Sequence, residues 1–409
     1  MKLTKTATRI AQALEDFTII DAHEHLGPEH LRTSIEVDVF TLFSHYTRVD
    51  LIAAGMKPHE YDRLMNPDED LDRRWRSFKP YLEHIRHGSY ARPAFIAARD
   101  LFGFDDINDQ TYRPLSERIS AANAPGLYNR ILRDRCKIEK VLACTPYTDY
   151  DRSLFALVPG VNPFANVTSR EVIEKQSADL GMTAATLDDY LEVFKAYVRQ
   201  RKELGAVGLK SKTSPYCPPS RKKAQQLFDR ITRDGKSDES LAPLAAYIRD
   251  CAYKLAVEED LTVAVHTGMW GDFTKLAAVD FIPVIMAHPE TRFDLFHAGM
   301  PSPRETGVIG KNFPNVSLNL CWCHIISQEM TCSTLQEWLD LVPTNKIIAF
   351  GADYHKPVEK AWGHLVMARE DVARVLADRV DASRVSFEEA LRLARKLFYD
   401  NPKRIYGLD

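Results

Sequence analysis

The stretch Ile19-Ile20-Asp21-Ala22-His23-Glu24-His25-Leu26 decides how the rest of the chain is read. Its apolar start and paired histidines predict a short buried strand that ends in His-x-His. Successive side chains of a strand alternate faces, so His23 and His25 project to one side, with Asp21 one step deeper on that side. Two imidazoles so placed can both reach a divalent cation at about 2.0–2.1 Å. A lone His pair in a strand is commonplace. The pattern gains weight only from what the rest of the chain supplies.

Upstream, residues 3–16 read as a helix leading into this strand. Downstream, residues 26–137 show little strand character and much helical periodicity, at Asp68–His87, Tyr90–Phe102 and Leu115–Ala122. A structureless loop of that length inside a domain is implausible, so a helical insertion is expected there. Short apolar runs then recur at Ile138–Cys144, Leu154–Val158, Ala206–Lys210, Leu261–His266, Phe293–His297, Val316–Leu320 and Ile347–Phe350. Helical stretches separate most of them, among them Leu187–Leu204, Leu241–Glu259, Thr274–Met286 and Thr334–Leu341. Near-continuous apolar strands alternating with helices predict parallel strands covered by helices. With the first strand they make eight, which predicts the α/β class and a closed (β/α)8 barrel. The whole chain, 1–409, is then one domain with the insertion 26–137 at the barrel mouth. A last helix is expected over Ser386–Tyr399. An open doubly wound sheet is the alternative, but no Gly-x-Gly-x-x-Gly turn or P-loop follows any strand.

Composition narrows the partners. Of 409 residues, 45% are hydrophobic and 27% charged, and the formal net charge is -3, so neither nucleic acid nor an anionic membrane is expected. No apolar run approaches the roughly 20 residues needed to cross a bilayer. Met1 to Phe17 lacks the apolar core of a secretory leader. Seven scattered cysteines fit reduced thiols and a cytoplasmic setting better than a disulfide framework. Cys321-Trp322-Cys323-His324 has metal-like lettering but no second Cys pair at zinc-ribbon spacing, so buried thiols are expected. A small-molecule substrate is the expected partner, and homo-oligomers are compatible with this composition.

Functional residues of a barrel sit at the C-terminal ends of its strands. Here strand one ends in His23 and His25, strand four in Lys210 with Lys212 beyond it, strand five in His266 and strand six in His297. Strand eight ends in Gly351-Ala352-Asp353. These residue types bind a divalent metal or move protons, and they are costly to bury unpaired. Taken alone, His266 or His297 also reads as a hydrogen-bonded structural histidine. Lys210 has three readings: a carboxylated bridge between two metals, a cation for a substrate anion, or a snorkelling surface lysine. Arg304 could grip a carboxylate through two N–H groups or form a salt bridge at a helix start. Trp270 and Trp322 are expected at the pocket wall, with Tyr147, Tyr150 and Tyr216 as less specific candidates.

This order of strand ends resembles the amidohydrolase superfamily. Ile-Asp-Ala-His-Glu-His-Leu, Ala-Val-His-Thr-Gly, Phe-His-Ala-Gly and Phe-Gly-Ala-Asp-Tyr-His resemble its metal-dependent hydrolases. Arg304-Glu-Thr-Gly, Asn312-Phe-Pro-Asn-Val, Gly208-Leu-Lys-Ser and the ending Asn-Pro-Lys-Arg-Ile-Tyr-Gly-Leu are similar to nodulin-like amidohydrolase domains, some of them fused to glutamine synthetase. An insertion after strand one is similar to that of uronate isomerases of the same superfamily. The resemblance implies one divalent metal, usually Zn2+, or two if Lys210 is carboxylated. It implies His23, His25, His266 and Asp353 as metal ligands, and His297 as a catalytic or supporting group. The implied activity is metal-dependent hydrolysis of a C–N or C–O bond, an amide or lactone, in a small anionic substrate. Asp353, His297 and Lys210 are then the catalytic residues, with Arg304, Trp270 and Trp322 contacting substrate. Aldose–ketose isomerisation of a uronate, or decarboxylation, stays open on the same site, and a catalytically idle binding barrel is the third class.

Overall fold

In a computed structural model, residues 3–408 are described. The strands are β1 (Ile19–Glu24), β2 (Ile138–Ala143), β3 (Phe155–Leu157), β4 (Gly208–Lys212), β5 (Thr262–His266), β6 (Phe293–Phe296), β7 (Val316–Asn319) and β8 (Ile347–Ile348). Each pairs in parallel with its successor in two runs, β1-β2-β3 and β4-β5-β6-β7-β8. The runs meet at two seams. At β3–β4 the seam is backbone: Val207 N–H donates to Leu157 O at 2.9 Å and Lys210 N–H to Pro159 O at 2.8 Å. At β8–β1, Ala22 N–H donates to Phe350 O at 3.2 Å and Asp353 N–H to His23 O at 3.0 Å. Two buried carboxylates complete this second seam. Asp21 Oδ1 accepts from His23 N–H and Ala352 N–H, and Glu24 Oε2 accepts from His25 N–H and Tyr354 N–H. The eight strands thus close a (β/α)8 barrel.

Strand alternation sorts the core into two layers. Along β5, Val263 and Val265 pack outward against helices while Ala264 faces the barrel axis. Ala22, Leu142, Ala156, Cys321 and Ile348 fill the axis beside it, around Phe296 and Tyr406.

The segment between β1 and β2 contains helices and no strand, and it has a core of its own around Phe40, Phe43, Trp75, Phe78 and Leu115. It docks on helix Glu359–Asp381. Gly363 permits this, because a Cβ there would lie 2.4 Å from Pro93 O and 2.6 Å from Pro93 Cα. Buried polar groups fix the joint. Arg32 pairs with Glu359 at 2.8 Å, and Lys360 Nζ donates to Thr47 Oγ1 and Tyr90 O, both at 3.0 Å.

Two elements depart from the sequence reading. The single helix expected over Thr274–Met286 is broken into 3-10 turns at Phe273–Lys275 and Ala278–Phe281 and a helix at Ile282–Ala287. Ala277 is extended (φ -62°, ψ 133°), and Pro283, with no N–H to give, starts the last piece instead of continuing an earlier one. Helix Glu359–Asp381 went unread because it buries Glu359, Lys360, His364, Arg369 and Asp371 along with its apolar residues, which blurs the apolar stripe. No helix among the described residues is long and apolar enough to cross a membrane.

Candidate metal centre

His23, His25 and Asp353 meet at the β1–β8 seam. His25 Nδ1 lies 2.8 Å from Cys144 O, a pure acceptor, so the proton is on Nδ1 and the Nε2 lone pair is free. That lone pair points at Asp353 Oδ1, 3.4 Å away, and His23 Nε2 lies 3.3 Å from the same oxygen. Asp353 Oδ1 is buried and has no hydrogen-bond partner. Burial pushes both histidines well below the usual imidazole range, so they are neutral near pH 7. Burial works to raise Asp353, but the neighbouring basic side chains, His25 first, then His297 and Lys210, favour its charged form more and hold the carboxyl below its ordinary value. The unprotonated Nε2 of His25 facing a buried carboxylate oxygen is repulsive unless a cation sits between them. Two ligands at about 2.1 Å from one ion, at a tetrahedral angle, stand about 3.4 Å apart, which matches the spacing here. These three residues fit a divalent metal.

A further histidine approaches the same carboxylate: His297, His23 and Asp353 each offer one potential ligand atom within 4.8 Å of the others, and His297 Nδ1 lies 3.9 Å from Asp353 Oδ2. His266, expected as the strand-five ligand, stands one step back. Its Nε2 faces Met269 O at 3.0 Å and its Nδ1 faces His297 Nε2 at 2.9 Å, so both ring nitrogens are engaged. Burial pulls His266 down to about 4 and His297 well below the usual range.

Lys210 reaches inward, half-buried, with Nζ 3.4 Å from His23 Nε2 and 3.7 Å above the Phe296 ring. Its surface reading does not survive. Gly351 lets β8 close on the site, since a Cβ there would lie 2.6 Å from Cys321 Cβ and 2.9 Å from His23 N. Behind the site, burial pushes Asp21 up to about 8 and Glu24 well above the carboxylate range.

Above the site opens a cavity of about 230 Å³, lined by His25, His45, Tyr46, His266, Trp270, Trp322, Asp353 and His355. Trp270 and Trp322 are there as expected, and Tyr46 stacks on Trp322 with centroids 4.4 Å apart. Arg304 is not brought to the site. Its side chain is 82% exposed on helix Pro303–Asn312 and is paired with Glu337 through two hydrogen bonds, the salt-bridge reading. Tyr150 instead ties its hydroxyl to Leu26 O at 2.7 Å, and Tyr216 lines another cavity. Cys321 and Cys323 are buried free thiols, and His324 is held by Asp371 and Ala349 O at 2.9 Å each.

Three lining residues were missed. His355 follows Asp353 by two positions and stacks on His25 at 4.7 Å, so the strand-end rule extended by one turn would have found it. His45 and Tyr46 come from the insertion, where no periodicity marks them. His45 holds a left-handed backbone (φ 61°) and burial lowers its ring to about 3.

Residues 161–408 match a family model described as Amidohydrolase. Over 150 residues the chain is 29% identical to Protein fluG of Emericella nidulans, a stretch covering 36% of this chain and 17% of that protein's length. The structure resembles uronate isomerase from Thermotoga maritima with a TM-score of 0.83 and 15% identity, over 99% of this chain and 98% of the other. It resembles glucuronate isomerase from Caulobacter crescentus with a TM-score of 0.82 and 18% identity, over 100% of this chain and 96% of the other. The insertion is therefore part of the shared architecture.

Proposed function

The chain belongs to the amidohydrolase family, and from that premise we propose that it is a metal-dependent hydrolase opening a C–N or C–O bond, an amide or lactone, of a small substrate. One observation supports this most: the buried Asp353 Oδ1, without a partner, between the Nε2 atoms of His23 and His25 on the floor of an aromatic-walled cavity. His23, His25 and Asp353 would hold the ion, and two imidazoles with one carboxylate are a ligand set that zinc takes. When bound, such an ion supplies Lewis acidity and brings a water's pKa from 15.7 to about 7.

The remaining work falls to side chains. Asp353 keeps Oδ2 free to take the proton of an attacking water, and its basic neighbours hold the carboxyl below its ordinary value, ionised for that role. His297 Nδ1, 3.9 Å from Asp353 Oδ2, is placed to receive that proton in turn, and His266 Nδ1 lies 2.9 Å beyond His297 Nε2. Tyr46 and Trp322 exclude water on one side, and Trp270, 51% exposed, stands at the rim.

Isomerisation of a uronate is the second reading, favoured by a likeness of fold that extends through the insertion. Against it stands the lack of a basic anchor among the lining residues. Metal analysis with a screen of lactones, N-acyl amino acids and uronates tests both. Metal-dependent opening of a lactone or amide, with solvent oxygen in the product, is the expected result. Turnover confined to uronates without solvent oxygen, or release of carbon dioxide, overturns the hydrolase reading.

A further inference from the structure

A second cavity, of about 490 Å³, lies outside the barrel. It is enclosed by the loops after β3 and β4, helix Ala242–Glu258 and helix Ile282–Ala287. It shares no lining residue with the metal cavity. Its size is that of a small-molecule site, and its walls are mostly apolar, with Val167, Leu241, Ala245, Phe281 and Val284 among them.

Its arginine has no counterion. Arg249 lines the cavity, and its guanidinium donates only to two neutral oxygens, Ser214 Oγ and Asn166 Oδ1, both at 3.1 Å. Nε is buried without a partner. Among the described residues no carboxylate lies within 4.0 Å. The adjacent Asp250 is committed elsewhere, to His288 at 3.0 Å and Lys254 at 2.7 Å. A guanidinium has five N–H donors in a planar fork suited to carboxylates, and this partly buried one has no anion beside it. Lys212 and Asp280 also line the cavity. The acid at Asp280 works against dianions such as phosphate esters.

We propose that this cavity binds a small monocarboxylate with an apolar body, its carboxylate on Arg249 and its body against Leu241, Phe281 and Val284. The loop it would touch, 213–219, continues directly from the strand that carries Lys210.

Calorimetric titration of the full-length, metal-loaded protein with sodium hexanoate and with hexanamide tests the proposal. Hexanoate should saturate one site per chain, and hexanamide should bind at least about tenfold more weakly, as expected when a charge-assisted hydrogen bond is lost. Arg249→Gln should weaken hexanoate by about 10–100-fold. Ala246→Trp, which fills the cavity and leaves the guanidinium in place, should also abolish binding and carries the test if Arg249→Gln misfolds. Asp353→Asn should leave hexanoate binding unchanged. The proposal is overturned by hexanoate binding weaker than about 10 mM, by equal binding of the amide, or by unaltered binding in a folded Arg249→Gln or Ala246→Trp protein. Loss of binding in Asp353→Asn would assign the ligand to the metal cavity instead. A wild-type dimer that Arg249→Gln dissociates, with no hexanoate bound, would make the guanidinium part of an interface between copies.

Discussion

The barrel and the insertion both contribute to the same cavity but are held in place by different means. The barrel fixes His23, His25, His297 and Asp353 through backbone ladders and through Asp21 and Glu24, whose carboxylates replace ladder bonds at the β8–β1 seam. The insertion places His45 and Tyr46 through one tight helix crossing at Gly363 and a few buried polar contacts to Arg32, Glu359 and Lys360. Ligand geometry is thus determined many times over, whereas the cavity wall rests on a small joint. Changes in the barrel rim should strike chemistry, and changes in the joint should strike substrate binding and stability.

The largest effect is expected from Asp353→Asn. The side chain keeps its shape and loses its charge and basicity, so kcat should fall by about 10²-fold or more. The two seam histidines and His297 should retain part of the metal, measurable by elemental analysis. Near-normal turnover would leave Asp353 a purely structural carboxylate and break the barrel half of the comparison.

Gly363→Val attacks the joint. Its Cβ meets backbone atoms of Pro93 that cannot yield, so helix Arg92–Phe102 must shift, at a cost of about 1–3 kcal/mol typical of overpacking. KM should rise and the melting temperature fall while metal content holds. Equal loss of metal would show that barrel rim and insertion are one cooperative unit.

Lys360 gives the joint a pH signature. Burial pulls its ammonium from 10.5 down to about 7, with Asp50 partly opposing. Between those values the unfolded chain holds a proton that the folded chain has released, so stability should rise as pH increases from about 7 to 10. Below about 7 both states are charged and the burial penalty is fully present. Urea unfolding across this range should show a slope of at most about 1.4 kcal/mol per pH unit from this group. Lys360→Met should flatten it; an identical slope in the variant would remove Lys360 from the joint.

The smallest effect is expected at Arg304. Its pair with Glu337 is exposed, so Arg304→Ala should leave the melting temperature almost unchanged. It should leave kcat/KM within about twofold, as surface changes away from a site usually do. A large rise in KM would restore its reading as a carboxylate clamp.

The particular residues show why some of this was legible and some was not. Valines and alanines alternating along β5 announced a strand, and Asp353 at the end of an apolar run announced a strand-end carboxylate. Arg304 looked like a clamp because a residue seven positions after His297 could belong to the mouth. The helix that starts at Pro303 carries it outward, and Glu337, 33 residues away, completes the pair. His45 and Tyr46 gave no local sign, because their place depends on how a helical unit docks.

By itself, the sequence determined the succession of apolar strands and the helical character of the segment after β1. Those follow from apolar runs and from side-chain periodicity, which are local properties of the chain. Tertiary structure alone decided that His297 and not His266 closes on Asp353, and that an arginine without a counterion faces an apolar cavity outside the barrel. Those outcomes depend on ring orientations and on distances between residues far apart in sequence, set by closure and packing of the whole barrel, which no local pattern encodes.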